Sequence, residues 1–230
     1  MTKPIGKEKI ELNTIIQGDC LEVMKKIESN SIDCLITDPP FSIGTTSTGN
    51  KGSWLDNNLI RPFFSIWFSE VKRIIKDEAD WYINTDWRTY PFLYPIATEY
   101  LSVKNCIVWD YEWIKAGSHY RFSHEFILYG NKIDGLKRKF EPSKDNRDVW
   151  RIPPVNFTQE KNHPAEKPVN LIKKMLENST KKGDLVLDTF LGSGTTAVAC
   201  KELQRNYIGI EIDPKYIKIA NKRLAQQVLF

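Results

Sequence analysis

With only three histidines and four cysteines in 230 residues, the sequence shows no spacing of either type that would hold a metal ion. Cys20, Cys34, Cys106 and Cys200 are scattered, so no disulfide framework is expected and a reducing, intracellular setting follows. Nor does any apolar run approach the roughly 18–20 residues needed to span a bilayer, and residues 1–11 are polar and charged. A membrane protein is therefore not expected. Internal repeats and low-complexity tracts are absent too. A net charge of +4 is compatible with a polyanionic partner but selects none.

What the sequence does hold is enough apolar surface, 41% hydrophobic and 12% aromatic residues, to bury one core in a single domain over 1–230. Strands and helices alternate, which predicts an α/β fold with a mainly parallel sheet. The expected order begins with a strand at 14–17, a helix at 20–27 and a strand at 32–37. A loop rich in Ser, Thr, Gly and Asn follows at 42–58, long enough to act as a lid. After it come a helix at 61–76 and strands at 81–84, 106–109 and 125–129. The stretch 130–162 breaks the alternation with prolines, scattered cations and aromatic residues, and reads as an excursion from the sheet. Regularity returns with a helix at 169–178, a strand at 185–187, a helix at 195–204, a strand at 207–212 and a helix at 214–226.

Two segments carry the chemistry. The apolar run Leu185-Val186-Leu187 leads into Asp188 and then Gly192-Ser193-Gly194 before a helix. Glycines there permit a tight strand-to-helix turn, and the amides opening the helix favour a carboxylate or phosphate. Glu211 ends the next strand, where an acid accepts hydrogen bonds from ribose hydroxyls, and Asp188 is placed to pair with a cationic amino group. The bland alternative is a plain turn and a solvated glutamate. An acid for a ribose plus an acid for an ammonium suits an amino-acid nucleoside.

The second segment, Asp38-Pro39-Pro40-Phe41, follows the apolar strand at 32–37. Prolines donate no backbone hydrogen bond and hold the chain extended, leaving carbonyl oxygens free to accept. Asp38 and the Pro39 carbonyl can together take both hydrogens of an exocyclic amine such as adenine N6. Phe41 can stack on the ring, once the base has been rotated out of a duplex. In isolation such a tripeptide is only a stiff turn; beside a cofactor loop it reads as a base-holding tip.

These blocks, in this order, resemble the β class of S-adenosylmethionine-dependent DNA amino-methyltransferases. The resemblance rests on Gly18-Asp19-Cys20, Asp38 to Phe41, His124 to Gly130, His163 to Pro168, Asp188 to Thr196 and Gly209-Ile210-Glu211. It implies a Rossmann-like methyltransferase fold, with S-adenosylmethionine as methyl donor, S-adenosylhomocysteine as product and no metal. By the resemblance, Phe190 packs against the methionine end of the cofactor, and Gly192, Ser193, Gly194, Thr195 and Thr196 bind its carboxylate. Glu211 takes the ribose, Asp19 lies near the adenine amino group, and Lys167 stands beside the cofactor.

By the same resemblance, 131–162 is the segment that reads double-stranded DNA, with Lys137, Arg138, Lys139, Arg147 and Arg151 as its phosphate-contacting candidates. That segment is short, which is compatible with a homodimer, and the implied setting is the cytoplasm of a prokaryote or phage-infected cell. The implied reaction is methylation of adenine N6 at a short DNA sequence. N4-cytosine methylation, an inactive DNA-binding partner subunit and a dinucleotide-dependent oxidoreductase are the alternatives, the last having no use for the Pro39-Pro40 tip. Relatives often carry Asp-Pro-Phe where this chain has Asp188-Thr189-Phe190, and tyrosine in place of Phe41. Trp81, Trp87, Trp109 and Trp113 are read as core and cleft-wall residues, and the histidines as surface groups.

Overall fold

The computed structural model describes residues 10–40, 57–114, 119–135, 146–155 and 166–226, with backbone alone for 57–60. Its elements begin with β1 (Thr14–Gln17), α1 (Cys20–Met24), β2 (Ile32–Thr37), α2 (Asn57–Ile74) and β3 (Ile75–Thr85). Next are α3 (Tyr90–Tyr100), β4 (Ser102–Asp110), β5 (His124–Asn131) and β6 (Val149–Arg151). The chain closes with α4 (Val169–Ser179), β7 (Leu185–Asp188), α5 (Thr195–Glu202), β8 (Asn206–Glu211) and α6 (Pro214–Gln226).

The eight strands form one sheet in the order β1-β8-β7-β2-β3-β5-β4-β6. All pairings are parallel except those of β5, which runs antiparallel to β3 and β4. Side chains alternate across β2, so Leu35 joins the core under α1, α2 and α3, while Cys34 and Ile36 join the core under α4, α5 and α6. Covered on both faces, β2 and β7 read as near-continuous apolar runs. Every parallel strand ends at one edge, the usual ligand edge of such sheets. Thr37, Asp188 and Glu211 therefore emerge together, and His124 starts β5 beside Asp110 at the same edge.

Several boundaries differ from the expected ones. The loop at 42–58 lies outside the described residues except for 57 and 58, which open α2; that helix stops at Ile74, not 76, because β3 starts at Ile75 and runs 11 residues. Helix α1 ends at Met24, short of 27, in a turn closed by Ile27 N–H donating to the Met24 carbonyl at 3.0 Å. Helix α3 falls in a stretch to which the sequence pattern assigned no element, and it contains Pro91 and Pro95. Pro91 stands in the first turn, where a missing N–H costs nothing, and burial of Leu93, Ile96 and Ala97 offsets the bond lost at Pro95. Strand β6 lies within the 131–162 excursion, so part of that segment extends the sheet by pairing with β4. Trp81 and Trp109 are buried in the core and Trp87, 55% exposed, lines a cavity wall, as expected; Trp113, 60% exposed just past the end of β4, lines neither. Among the described residues no helix is long and apolar enough to cross a membrane.

Candidate active site

A cleft of about 330 Å³ opens at the carboxyl edge of the sheet. Asp38, Pro39 and Pro40 line one side and Asp188, Phe190, Gly192 and Ser193 the other, so the structure brings the two sequence segments together. Adjacent strands do this: β2 pairs with β7, and the Thr37 hydroxyl donates to Asp188 Oδ1 at 2.9 Å.

Asp188 is buried and accepts three bonds, from Thr37, from the Phe190 N–H at 3.0 Å and from the Thr196 hydroxyl at 2.6 Å. Burial nonetheless pushes its carboxyl up to about 6, with the Asp38 charge adding to the rise. A cation in the cleft would reverse that shift. Phe190 forms part of the cleft and packs against Phe63 and Trp67, ring centroids 6.4 Å away in each case.

The glycine turn is braced from two directions. Glu211 accepts the Gly192 N–H at 2.8 Å and the Asp213 N–H at 2.8 Å, each with a different oxygen, which leaves lone pairs toward the cleft for hydroxyl donors. From α6, Arg223 donates to the Ser193 carbonyl and hydroxyl and to the Thr195 hydroxyl, at 2.9, 3.0 and 3.1 Å. It also pairs with Glu166 at 2.9 Å, tying the turn to the segment before α4. Gly194 caps α5 at φ +87°, and a Cβ there would stand 2.6 Å from that of Ala220. Ser193, Thr195 and Thr196 are buried and line the cleft.

Lys167 bonds Asp38 Oδ2 and Glu125 Oε2, each at 2.9 Å, and Tyr111 donates its hydroxyl to Glu125 Oε1 at 2.5 Å. Burial alone would lower the Lys167 pKa; the two carboxylates outweigh it and hold the ammonium above its ordinary range. Burial and the Glu125 charge push the Tyr111 phenol up in the same way. Lys167 thus lines the cleft on the Asp38 side. Asp19 is not a cleft-lining residue; its Oδ1 caps α1 by accepting the Leu21 and Glu22 N–H groups at 2.8 and 3.3 Å. Phe41, Lys137, Arg138 and Lys139 lie outside the described residues. Arg151 ends β6 at the carboxyl edge beside Asp110, and Arg147 precedes that strand at the opposite end.

Sequence reading assigned no role to Glu125, Tyr111, Arg223, Glu166 or Thr37. Glu125 and Glu166 left a signal, each lying in a block that carries the resemblance, and Glu125 also opens the apolar run Phe126 to Tyr129. Among the described residues no group of three His, Cys, Asp or Glu side chains is placed to hold a metal ion.

An open α/β sheet with an acidic, glycine-turned cleft beside an Asp-Pro-Pro strand tip has the form of a Rossmann-like methyltransferase. A sequence model of the N6/N4 DNA methylase family matches residues 32–222, and the chain belongs to that family. The DNA adenine methyltransferase YhdJ of Escherichia coli is 31% identical, over 93% of this chain and 83% of its own length. The type II methyltransferase M.HinfI of Haemophilus influenzae is 32% identical, over 96% of this chain and 71% of its own length. Among solved structures, the M1.HpyAVI complex with S-adenosylmethionine superposes with a TM-score of 0.72 at 27% identity, covering 91% of this chain and 98% of that one. The cytosine-N4-specific PvuII methyltransferase has a TM-score of 0.78 at 17% identity, over 94% of this chain and 87% of its own, and shares the fold.

Proposed function

We infer that this chain transfers the methyl group of S-adenosylmethionine to N6 of an adenine rotated out of double-stranded DNA. The observation that carries the reading is the cleft shared by the Asp38-Pro39-Pro40 tip and the glycine turn. The residues present fit the cofactor: a buried acid for its ammonium, a braced acid for its ribose, a ring at its methionine end and a helix start for its carboxylate. Those residues are Asp188, Glu211, Phe190 and Gly192 to Thr196. Bound there, the cofactor supplies a methyl group made electrophilic by its sulfonium charge.

The chain supplies alignment and electrostatics. Asp38 and the Pro39 carbonyl accept the two hydrogens of the adenine amine, drawing electron density toward nitrogen, and Phe41 holds the ring. Lys167 positions Asp38 by its 2.9 Å ion pair. Residues 131–162 read the DNA, with Lys137, Arg138, Lys139, Arg147 and Arg151 on phosphates, and a homodimer would extend that short surface. The bacterial relatives support a cytoplasmic setting, in a prokaryote or a phage-infected cell.

Incubation of the purified protein with unmethylated genomic DNA and S-adenosylmethionine, followed by nucleoside mass spectrometry, tests the reading. N6-methyladenine is expected from the wild type and none from Asp38→Ala. N4-methylcytosine in its place would overturn the base assignment, and no methylated nucleoside would overturn the reaction.

A further inference from the structure

Beyond the cofactor cleft lies a second cavity, of about 630 Å³, walled by residues 86–88, Tyr111 and 119–126. It is separated from the first by the ion-pair bridge, since Asp38 and Lys167 line the cleft while Glu125 and Tyr111 line this cavity. Among the described residues no aliphatic side chain lines it. Its walls are rings and cations: Trp87 is 55% exposed, Tyr120 91% and Phe122 39%. The Arg88 guanidinium lies 5.1 Å from the Trp87 ring centre and 5.8 Å from that of Phe122. Arg121, His119 and His124 complete a basic rim.

Rings left this open forgo a large burial gain, and an apolar protein partner would call for aliphatic surface alongside them. Aromatic faces interleaved with guanidinium groups suit flat, polarisable rings joined by phosphates, the pattern of single-stranded nucleic-acid sites. Two acids, Asp86 and Glu125, also line the cavity; Glu125 is paired with Lys167, and Arg88 and Arg121 supply the positive charge that a phosphate needs there. Resting on the methyltransferase reading, we propose that this cavity stacks an unpaired nucleotide of the DNA substrate next to the base being methylated. Extracting one base from a duplex exposes the faces of its neighbours, and the cavity offers them rings in exchange.

Fluorescence anisotropy with S-adenosylhomocysteine present tests this, using a short labelled duplex with one unpaired nucleotide and the same duplex fully paired. The wild type is expected to prefer the first. Trp87→Ala and Tyr120→Ala should each weaken its binding by about 5- to 100-fold, the range for one stacked base, with little change in salt dependence. Both side chains are exposed, so thermal melts should match the wild type. Equal affinity of the double variant and the wild type for the unpaired probe would overturn the stacking site. Tritiated methyl transfer to DNA by the wild type keeps the two readings apart. Transfer with unaltered variant affinity sinks the stacking site alone, and absence of transfer sinks the methyltransferase reading.

Discussion

Thr37 donates its hydroxyl to Asp188 at 2.9 Å, joining the strand that presents Asp38 to the strand that precedes the glycine turn. The same hydroxyl lies 3.1 Å from that of Thr189, so both halves of the cleft share one buried polar contact. Thr37→Val keeps the shape and removes the donor. A buried acceptor then loses a partner, which costs about 1–3 kcal/mol. Urea denaturation should show that loss without a change in slope, and an unaltered midpoint would refute the coupling.

Asp188 also sets a pH dependence. Its carboxyl is raised to about 6 in the folded protein from an ordinary 3.8, so its protonation favours the folded state. Stability from this group is fully present below about pH 4 and is lost as pH rises through 6. Cofactor binding runs the other way, because an ammonium partner needs the ionised carboxylate. Affinity for S-adenosylmethionine should hold above pH 6 and fall about tenfold at pH 5. Calorimetry across pH 5–8 checks this, and Asp188→Asn should abolish that limb along with most of the affinity. A flat profile in the wild type would remove Asp188 from the ammonium's contacts.

Lys167 is a cation between two partly buried carboxylates, Asp38 and Glu125, which would otherwise repel each other. Lys167→Met should cost about 3–5 kcal/mol, the usual penalty for breaking a buried pair from one side. Adding Glu125→Gln to that variant removes one stranded charge and should recover part of the loss. Methyl transfer should fall in kcat more than in KM for the cofactor, since the bridge fixes Asp38. A Lys167→Met protein as stable and active as wild type would sink this assignment.

The glycine-turn side of the cleft was legible as a juxtaposition because its parts are neighbours in sequence: Asp188, Phe190 and Gly192 to Thr196 follow one strand, and Glu211 ends the next. Asp38 was legible for the same reason, as the end of an unbroken apolar run. The Asp38–Lys167–Glu125–Tyr111 chain was not, because four separate segments meet only when β5 inserts antiparallel between β3 and β4. No local period encodes that insertion. Helix α3 contains Pro91 and Pro95, whose local cost is outweighed by burial that only tertiary packing supplies. The open ring at Trp113 was misplaced for a related reason: composition says that tryptophans bury well, not which strand ends lack cover.

The two glycines of the turn between β7 and α5 separate backbone conformation from space. Both have positive φ, +54° at Gly192 and +87° at Gly194, where an L side chain costs about 1–2 kcal/mol. A Cβ at Gly192 would meet nothing within 4 Å, whereas one at Gly194 would stand 2.6 Å from the Ala220 Cβ and 3.0 Å from its Cα. Gly192→Ala should therefore lose only the conformational cost and retain measurable cofactor binding. Gly194→Ala must also push α6 outward, and α6 carries the Arg223 that holds Ser193 and Thr195. Its cofactor affinity should fall well below that of Gly192→Ala, and its melting temperature should drop further. Adding Ala220→Gly to Gly194→Ala removes the nearest contact and should restore part of the binding. If the Gly194 and Gly192 variants lose equally, contact with α6 has no part in shaping the turn.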